Sequence, residues 1–324
     1  MATYGFTQTS SSATTPTLLV ANQGDRTLSL IDAHATRLSG VVQENVPDGW
    51  VHELATSPDG RTAFAPIYGN SGVGKPGTDG RKMLVVDVAS RKIIGNVDFG
   101  HGVRPHAVVY DPSHDLLYVT TELDRSITAV DPHTLKVIAS IPTEQPESHM
   151  LAISHDGKRG YTANVGPGTV SVLDLVARKT VTVIPISANT QRISISNDDT
   201  MVFTSDQTKP QLAVIDTATN KVKTRVALPS TGYGSAPTRD GRWLLVALPS
   251  VNKVGVVDLD TLKLARTVDV CRSPQEILAR PDGKIAYVSC MGSQQVAAID
   301  LSQWKVQALI EAGNGADGLA WAGR

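Results

Sequence analysis

The chain has 324 residues, of which 41% are hydrophobic, and its 30 basic and 31 acidic residues give a formal net charge of −1. This balance, without a cluster of Lys and Arg, argues against a nucleic acid or an anionic membrane surface as a partner. No stretch of about 18 apolar residues occurs, so the sequence predicts no segment that crosses a membrane.

The chain begins with a polar stretch, MATYGFTQTSSSATT, that lacks both a basic start and an apolar run. We predict that residues 1–15 are a disordered tail and not a secretory signal. This interpretation places the protein in the cytoplasm, or in the periplasm if an export signal has been removed. The only cysteines, Cys271 and Cys290, are accordingly predicted to be reduced thiols.

A repeat organises the rest of the chain. Stretches such as VHELATSPDG, PHAVVYDPSHD and PQEILARPDG align on a shared pattern, and one column of that alignment recurs at steps of 54, 43, 42, 42, 42 and 42 residues. The column, called the ring column below, holds His52, His106, His149, Gln191, Tyr233, Gln275 and Asp317. A period of about 40–45 residues is typical of β-propeller blades.

The predicted elements are short strands, four to a repeat. The chain starts with TLLVANQ, TLSLIDA and LSGVVQEN; a complete later repeat reads HMLAIS, KRGYTAN, TVSVLDL and KTVTVIPI; and DGLAWAG stands alone at 317–323. Runs of β-branched and apolar residues between Gly, Asp, Asn and Pro indicate strands. We therefore predict an all-β, seven-bladed β-propeller over residues 16–324, a single domain whose C-terminal strand completes the N-terminal blade and closes the ring.

Several strands resemble the YVTN-type seven-bladed β-propellers. LLYVTTEL, IAYVSC and LLVANQ match the second strand of that family, and RPHAVVYDP, SPDG and RPDG match its first strand. The resemblance covers nearly the whole chain and implies the propeller fold. It implies no particular function, because such propellers bind proteins, hold cofactors or carry enzymes.

Residues that occur in every blade are expected to serve the fold, and residues that occur in some blades are expected to serve a site. An aspartate closes the third strand of each blade, at Asp32, Asp87, Asp131, Asp174, Asp216, Asp258 and Asp300. A carboxylate there can accept hydrogen bonds from backbone N–H groups of the following turn. We interpret these seven residues as structural.

The ring column differs from blade to blade, and three consecutive blades place His52, His106 and His149 there. Three imidazoles predict one bound divalent transition metal, either Zn, Fe, Ni or Cu, with a coordination position left open. Asp317 is predicted to be a fourth ligand or an acceptor for an imidazole N–H. Glu53 and Glu276 alternate to the other side of their strands and are predicted to support the ligands from behind. The alternative is a polar, water-filled mouth without metal.

A substrate pocket is predicted around this ring. Residues 69–81, GNSGVGKPGTDGR, form an insertion between two strands that would lie over the ring as a lid, unless it is a tolerated surface insertion. Trp50, Tyr68, Gln191 and Gln275 are the predicted substrate-binding residues. The predicted catalytic residues are Glu147 to move a proton, Arg104 to hold an anionic group and Tyr233 at the ring.

The hypothesis that these features support is a monomeric, metal-dependent enzyme of hydrolase, lyase or isomerase type that acts on a small organic molecule. Redox chemistry also suits an all-histidine site. The alternative function is a non-catalytic propeller that binds a protein or small-molecule partner at its rim, as a binding module or as a sensor without turnover.

Overall fold

A computed structural model describes residues 16–47 and 49–323, so the predicted tail at 1–15 lies outside the described residues. Seven antiparallel sheets form the blades, and each innermost strand packs beside that of the next blade until the ring closes. The predicted seven-bladed β-propeller is confirmed. Among the described residues, no helix is long and apolar enough to cross a membrane.

The blades are numbered from the N-terminal sheet, innermost strand first. Blade 1 contains β29 (Ala316–Ala322), β1 (Thr17–Asn22), β2 (Thr27–Asp32) and β3 (Arg37–Gln43). Blade 2 contains β4 (Trp50–Val51) and β5 (Ala55–Thr56), β6 (Thr62–Gly69), β7 (Asp79–Asp87) and β8 (Lys92–Asp98). Blade 3 contains β9 (Pro105–Asp111), β10 (Leu116–Thr121), β11 (Ser126–Val130) and β12 (Val137–Pro142). Blade 4 contains β13 (Ser148–Ile153), β14 (Arg159–Asn164), β15 (Thr169–Asp174) and β16 (Lys179–Pro185).

Blade 5 contains β17 (Thr190–Ile195), β18 (Met201–Asp206), β19 (Gln211–Asp216) and β20 (Lys221–Ala227). Blade 6 contains β21 (Ser235–Pro237), β22 (Trp243–Leu248), β23 (Lys253–Asp258) and β24 (Lys263–Asp269). Blade 7 contains β25 (Pro274–Ala279), β26 (Ile285–Cys290), β27 (Gln295–Asp300) and β28 (Lys305–Glu311). Two 3-10 helices, at Glu122–Asp124 and Pro249–Val251, interrupt the turns between the second and third strands of blades 3 and 6.

The ring is closed by pairing β29 with β1. The register joins Leu19 to Ala320 and Thr17 to Ala322, so the isolated C-terminal strand supplies the innermost strand of blade 1 as predicted. This pairing removes the free edge that β1 would otherwise present to other chains. Apolar side chains of β29, such as Ala320 and Ala322, then join one buried cluster with Ala63 and Ala65 of blade 2.

A β-bulge interrupts most innermost strands at the ring column. In β9, Val108 pairs with Val119 but Pro105 pairs with Thr121, so two residues of β9 face one residue of β10. The strands β13, β17, β25 and β29 shift register at the same place. In blade 2 the interruption splits the strand into β4 and β5. A bulge redirects the side chains that it carries, and here it carries the residues at the mouth of the channel.

The aspartates that close the third strands hold the turns that follow them. Asp131 accepts hydrogen bonds from the backbone N–H groups of His133 at 2.8 Å and Thr134 at 2.9 Å. Asp32 does the same with His34 and Ala35. The hydrogen bond from the Thr134 backbone, followed by that from His133, lowers the pKa of Asp131. The same contact recurs in the other blades. The structural interpretation of this column is confirmed.

The two cysteines form a disulfide, so the prediction of reduced thiols is wrong. Cys271 precedes β25 and Cys290 ends β26, and the pairing of Pro274 with Cys290 brings the two sulfur atoms together. Both residues are buried in blade 7. One cysteine lies in the loop before β25 and the other lies at the end of β26. Their proximity is therefore evident only from the register in which β25 pairs with β26.

Opening this disulfide is expected to destabilise the propeller. The bond joins residues 19 positions apart, and closing a loop of this size stabilises a fold by about 2–4 kcal/mol. The double variant Cys271→Ala/Cys290→Ala should therefore melt several degrees lower than the wild type in differential scanning calorimetry, and wild type treated with a reductant should follow it. A reductant should leave the double variant unchanged. Equal melting temperatures for oxidised and reduced wild type would contradict the expectation.

Candidate functional site

Three ring residues bring their imidazoles into contact at the mouth of the channel. The rings of His106 and His149 stack with centroids 3.5 Å apart and planes at 29°. His52 lies beside them, with its centroid 5.0 Å from that of His106. Tyr68 packs against all three rings at 5.2 to 5.6 Å. The structure therefore assembles the three histidines as the repeat register predicted.

The imidazole nitrogens have different partners. The Tyr68 hydroxyl donates to Oε2 of Glu122 at 2.7 Å, and His149 Nδ1 lies 3.2 Å from the same oxygen. Nε2 of Gln23 donates to Nδ1 of His52 at 3.1 Å. Nε2 of His52 and Nδ1 of His106 are buried without a partner within the part of the chain that the structure describes. Unsatisfied buried polar atoms are rare and are often found where a protein does its work.

Burial keeps the three imidazoles neutral. It lowers the pKa of His52 to about 3 and lowers the pKa of His106 well below its usual range. His149 in its protonated form and the charge of Arg192 both lower the pKa of these two groups further. Burial also lowers the pKa of His149, although Glu122 opposes the shift. At neutral pH each ring therefore keeps one nitrogen lone pair that can accept a proton.

A buried arginine lies beneath the imidazoles on the channel axis. Nη1 of Arg192 donates to Glu53 and, at 2.9 Å, to Glu276, while Nη2 donates to Asp317 at 3.1 Å. The Tyr233 ring covers the guanidinium, with a distance of 4.5 Å from Cζ to the ring centroid. We call Arg192 and its three carboxylates the axial charge cluster. It connects blade 5 with blades 1, 2 and 7 across the channel.

The axial charge cluster holds more acid groups than base groups. Burial raises the pKa of Glu276 to about 7, and it raises the pKa of Glu53 well above its usual range. The pKa of Asp317 is raised by burial and lowered in part by Arg192. Ionising all three carboxylates beside one cation in a buried site is unfavourable, because they repel one another and lose their hydration. The cluster therefore retains protons near neutral pH.

Glu53 and Glu276 therefore do not hydrogen-bond to the histidines from outside the ring, as the sequence predicted. Simple strand alternation places the residue after the ring column on the opposite side of the sheet. The bulges break this alternation, so both glutamates reach Arg192 inside the channel and neither one supports an imidazole. Further inward lies an apolar floor, with Leu54, Leu151 and Ile277 buried.

A cavity of about 430 Å³ opens above the ring. Its walls include six residues from the sequence prediction, namely His52, Tyr68, His149, Gln191, Tyr233 and Gln275. Gly72 and Val73 of the 69–81 insertion also line it, so the insertion lies over the mouth as predicted. Aromatic rings, two amides and neutral imidazoles suit a small organic ligand.

Three of the predicted substrate-binding and catalytic residues lie outside this cavity. Trp50 stacks beside His52 with ring centroids 6.4 Å apart. Arg104 and Glu147 line a separate cavity of about 360 Å³ beneath residues 74–76. Arg104 donates to Asp79 at 2.6 Å and to the backbone oxygen of Lys75 at 2.7 Å, so it anchors the insertion. Glu147 accepts a hydrogen bond from the backbone N–H of Gly166 at 2.7 Å.

Sequence reasoning missed Arg192, Glu122 and Gln23. A signal for Arg192 was available, because the residue after the ring column is Arg in one blade and Glu, Ala, Met or Gly in the others. Simple strand alternation turns that column away from the channel, whereas the bulges turn it inward. Glu122 and Gln23 lie in or near turns between second and third strands, where polar residues are ordinary and carry no such signal.

Comparison with known proteins gives one family match and a set of propeller structures. A family model described as the cytochrome D1 heme domain matches residues 110–239, less than half of the chain. No curated protein matches the chain by sequence. Hydrazine synthase of Kuenenia stuttgartiensis is similar with a TM-score of 0.75 at 20% identity, over 92% of this chain and 99% of that chain. The dihydro-heme d1 dehydrogenase NirN in complex with DHE is similar with a TM-score of 0.66 at 13% identity, over 94% and 74%. Likeness at these identities supports the fold alone.

The prediction of a lone divalent metal ion is wrong. The matching family model describes a heme domain, and the NirN structure is named for dihydro-heme d1, so the similar proteins are associated with a heme and not with a lone metal ion. The geometry agrees, since among the described residues no group of three or more His, Cys, Asp or Glu could hold a metal ion. The nitrogen lone pair of an imidazole lies in the plane of its ring. The lone pairs of two stacked imidazoles therefore do not point at one common ion. The predicted ligands were His52, His106, His149 and Asp317, and Asp317 is bound to Arg192.

The axial charge cluster should make stability depend on pH. The folded-state pKa of Glu276 is about 7, above the usual value of 4.5. The unfolded chain therefore releases this proton first, and the group lowers stability as pH rises from about 4.5 to 7, by on the order of 3 kcal/mol. Glu276→Gln should remove this loss, so the variant should gain stability over the wild type as pH rises through this window in urea unfolding experiments.

The matched control is Glu311→Gln, which removes an exposed carboxylate outside the axial charge cluster. Unfolding free energies of wild type and Glu276→Gln that run parallel between pH 4.5 and 7 would show that Glu276 does not hold a proton in the folded state.

Proposed function

We propose that the mouth of the propeller binds a tetrapyrrole of the heme type, with His149 as the residue that would bind its iron. The observation that carries this proposal is the pair formed by Glu122 and His149 at the cavity. A carboxylate on one imidazole nitrogen orients the ring and increases the basicity of the other nitrogen, as it does in many metal sites. Both residues lie within the segment 110–239 that the heme-domain model matches.

The residues present fit such a group in three respects. Nδ1 of His149 is engaged by Glu122, so Nε2 is left as the nitrogen with the lone pair. The low pKa of His149 keeps that nitrogen unprotonated at neutral pH. The cavity of about 430 Å³ is walled by the rings of Tyr68 and Tyr233, and flat apolar walls suit a macrocycle.

When bound, the group would supply iron-centred redox chemistry. The residues of the chain would bind the ligand, limit the access of water to it and hold a proton beside it. Gln191 and Gln275 offer amides from the ring, while Gly72 and Val73 of the insertion line the cavity and would contact the ligand. Glu122 fixes the His149 ring, and the Tyr68 hydroxyl, which donates to Glu122, holds a proton at that carboxylate.

The proposal is tested by titrating the protein with hemin and following the Soret band. The wild type should show saturable binding, and His149→Ala should weaken it at least tenfold, which corresponds to about 1.4 kcal/mol. Glu122→Gln should weaken binding less and should shift the Soret maximum, since it changes the charge behind the imidazole. The control is His114→Ala, at a half-exposed histidine in a turn at the opposite ends of the strands.

Circular dichroism melts establish that each variant is folded before titration. Equal hemin affinity for wild type and folded His149→Ala would exclude His149 as the iron ligand. The absence of saturable binding in the wild type would exclude the tetrapyrrole altogether.

We propose as a second candidate an enzyme of hydrolase, lyase or isomerase type that moves protons on a small organic molecule without a lone metal ion. The observation that favours it is the hydrogen-bonded series Tyr68, Glu122 and His149 at the cavity. Burial and the charge of Glu122 raise the pKa of Tyr68, so its hydroxyl stays protonated. Neutral His149 could act as a base and Tyr68 could return a proton. Tyr233 at the ring remains a proposed catalytic residue, with Arg104 and Glu147 in the adjacent cavity.

The second candidate predicts turnover by metal-free protein. Proton release from a panel of lactones should be faster with wild type than with buffer, and Tyr68→Phe should reduce kcat by about 100-fold with little change in KM. The matched control is Tyr110→Phe, which removes a hydroxyl that contacts Asp115 away from the mouth. Turnover unaffected by Tyr68→Phe would contradict this assignment.

We propose further that the protein is a monomer that works in an oxidising compartment such as the periplasm. The disulfide between Cys271 and Cys290 supports this location, because disulfides persist outside the reducing cytosol. Alkylation of both thiols in protein taken directly from cells would place it in the cytoplasm instead. The YVTN-type resemblance likewise remains a proposal about its family.

A further inference from the structure

A larger cavity, of about 860 Å³, lies at the opposite end of the strands between blades 6 and 7. It is formed by the turn before β22, the turn before β26 and the turn between β27 and β28. Trp243 and Trp304 both line it. None of its residues belongs to the mouth, so we call it the basal cavity and consider it separately.

The two tryptophans form an ordered aromatic cluster. Their rings meet edge to face with centroids 5.6 Å apart. The guanidinium of Arg266 lies over both rings, at 5.6 Å from Trp243 and 5.2 Å from Trp304, and that of Arg242 lies 4.8 Å from Trp243. These cation–π contacts hold the indoles in place. Trp304 has a φ of 55°, which is unfavourable for a bulky side chain.

The repeat shows that these side chains are not required by the blade. Each of the three occupies a position that the other six blades fill differently. The counterparts of Trp304 are Thr36, Arg91, Leu135, Arg178, Asn220 and Leu262. The counterparts of Trp243 are Thr17, Thr62, Leu116, Arg159, Met201 and Ile285. The counterparts of Arg266 are Gly40, Gly95, Ala139, Thr182, Thr224 and Ala308.

No other blade places an aromatic residue at either tryptophan position, and no other blade places a charged residue at the Arg266 position. Three departures from the repeat therefore form one cluster, in which Trp243 and Trp304 line the basal cavity and Arg266 packs over both of their rings. Residues that serve the blade recur, as the turn aspartates do, whereas these three occur once and touch one another. This pattern indicates a site.

The three carboxylates that line the basal cavity have hydrogen-bond or ion-pair partners of their own. Asp240 accepts hydrogen bonds from Thr238 and the Arg242 backbone, and Asp300 accepts hydrogen bonds from its own turn. Asp282 is paired with Arg280 at 2.7 Å. All three carboxylates are thus engaged.

Two exposed cations on the cavity wall have no such partner. Within residues 16–47 and 49–323, neither Arg239 nor Lys284 forms an ion pair with a carboxylate. Both side chains line the basal cavity together with the tryptophans. The wall thus carries three cations, Arg239, Arg280 and Lys284, and three carboxylates. The two cations that form no ion pair within the described residues lie beside the aromatic surface and can bind an anionic group.

We propose that the basal cavity binds an aromatic anion, a flat ring that carries a phosphate, sulfonate or carboxylate group. The ring packs against Trp243 and Trp304, and the anionic group binds Arg239 and Lys284. Aromatic packing and a charge-assisted hydrogen bond recognise different parts of the same ligand. Binding is independent of the mouth, because no residue is shared by the two cavities.

The test uses 1-naphthyl phosphate as the probe and the indole N–H signals of the four tryptophans in ¹H–¹⁵N NMR spectra. Saturable shifts are expected for Trp243 and Trp304 and not for Trp50 or Trp321. 1-Naphthol and inorganic phosphate, each lacking one half of the ligand, should bind at least tenfold more weakly. Raising the salt concentration should weaken binding, because exposed charges are screened.

The repeat supplies substitutions that other blades already tolerate. Trp304→Leu introduces the residue of blade 6, and Arg266→Thr introduces the residue of blade 5; each should weaken probe binding at least tenfold. Arg239→Ala/Lys284→Ala should reduce affinity for the probe to that for 1-naphthol. The control is Lys158→Ala, at the position of Lys284 in blade 4, and it should bind the probe like the wild type.

Four results would overturn the proposal. They are equal shifts at all four tryptophans, affinity for the probe unchanged in folded Trp304→Leu, inorganic phosphate binding as tightly as the probe, and shifts of Trp243 and Trp304 that follow protein concentration without any probe. The last result would assign the cavity to an interface between two copies of the chain.

Discussion

The contact between Arg192 and three carboxylates determines the character of the channel in this propeller. A guanidinium in the middle of a protein is costly unless its charge is balanced and its donors are bound. Glu53, Glu276 and Asp317 provide that balance from three other blades. The blades otherwise pack mainly on their neighbours, so this cluster is a direct connection across the axis.

The imidazoles above depend on the same arginine. Its positive charge lies below the histidines and adds to the burial that keeps His52 and His106 unprotonated. Tyr233, which covers the guanidinium, separates it from the cavity and presents an aromatic surface to a ligand. The imidazoles at the mouth are consequently uncharged and offer nitrogen lone pairs, although charged groups lie directly beneath them.

The fold and the location of the site could be predicted because the repeat fixes both. A constant period places one residue from each blade at the same height, so His52, His106 and His149 had to meet once the ring closed. What could not be predicted is the direction of the side chains. The period of 42 residues says nothing about bulges, and the bulges send Glu53, Arg192 and Glu276 into the channel. Glu122 and Gln23 enter the site from turns, and their contribution depends on tertiary packing that no local pattern encodes.

The metal prediction failed for a related reason. Proximity of three histidines follows from the register, but their usefulness as ligands depends on the angle between the rings. His106 and His149 stack face to face, an arrangement that packs well and directs their lone pairs sideways. The carboxylate that orients His149 is an acidic residue in a short helix, Glu122, and its role emerges only when its oxygen is seen beside the ring.

The pairing of β29 with β1 also orders events during synthesis. A ribosome releases the N-terminal strands of blade 1 first, whereas the strand that completes this blade follows all the others along the chain. Blades 2 to 7 can stack as they emerge, but β1 keeps an open edge until β29 arrives, and such edges invite wrong partners in a crowded cell. Asp317 arrives on the same strand, so the negative charges around Arg192 are complete only when the ring is shut. Assembly of the site and closure of the fold are thus one late step.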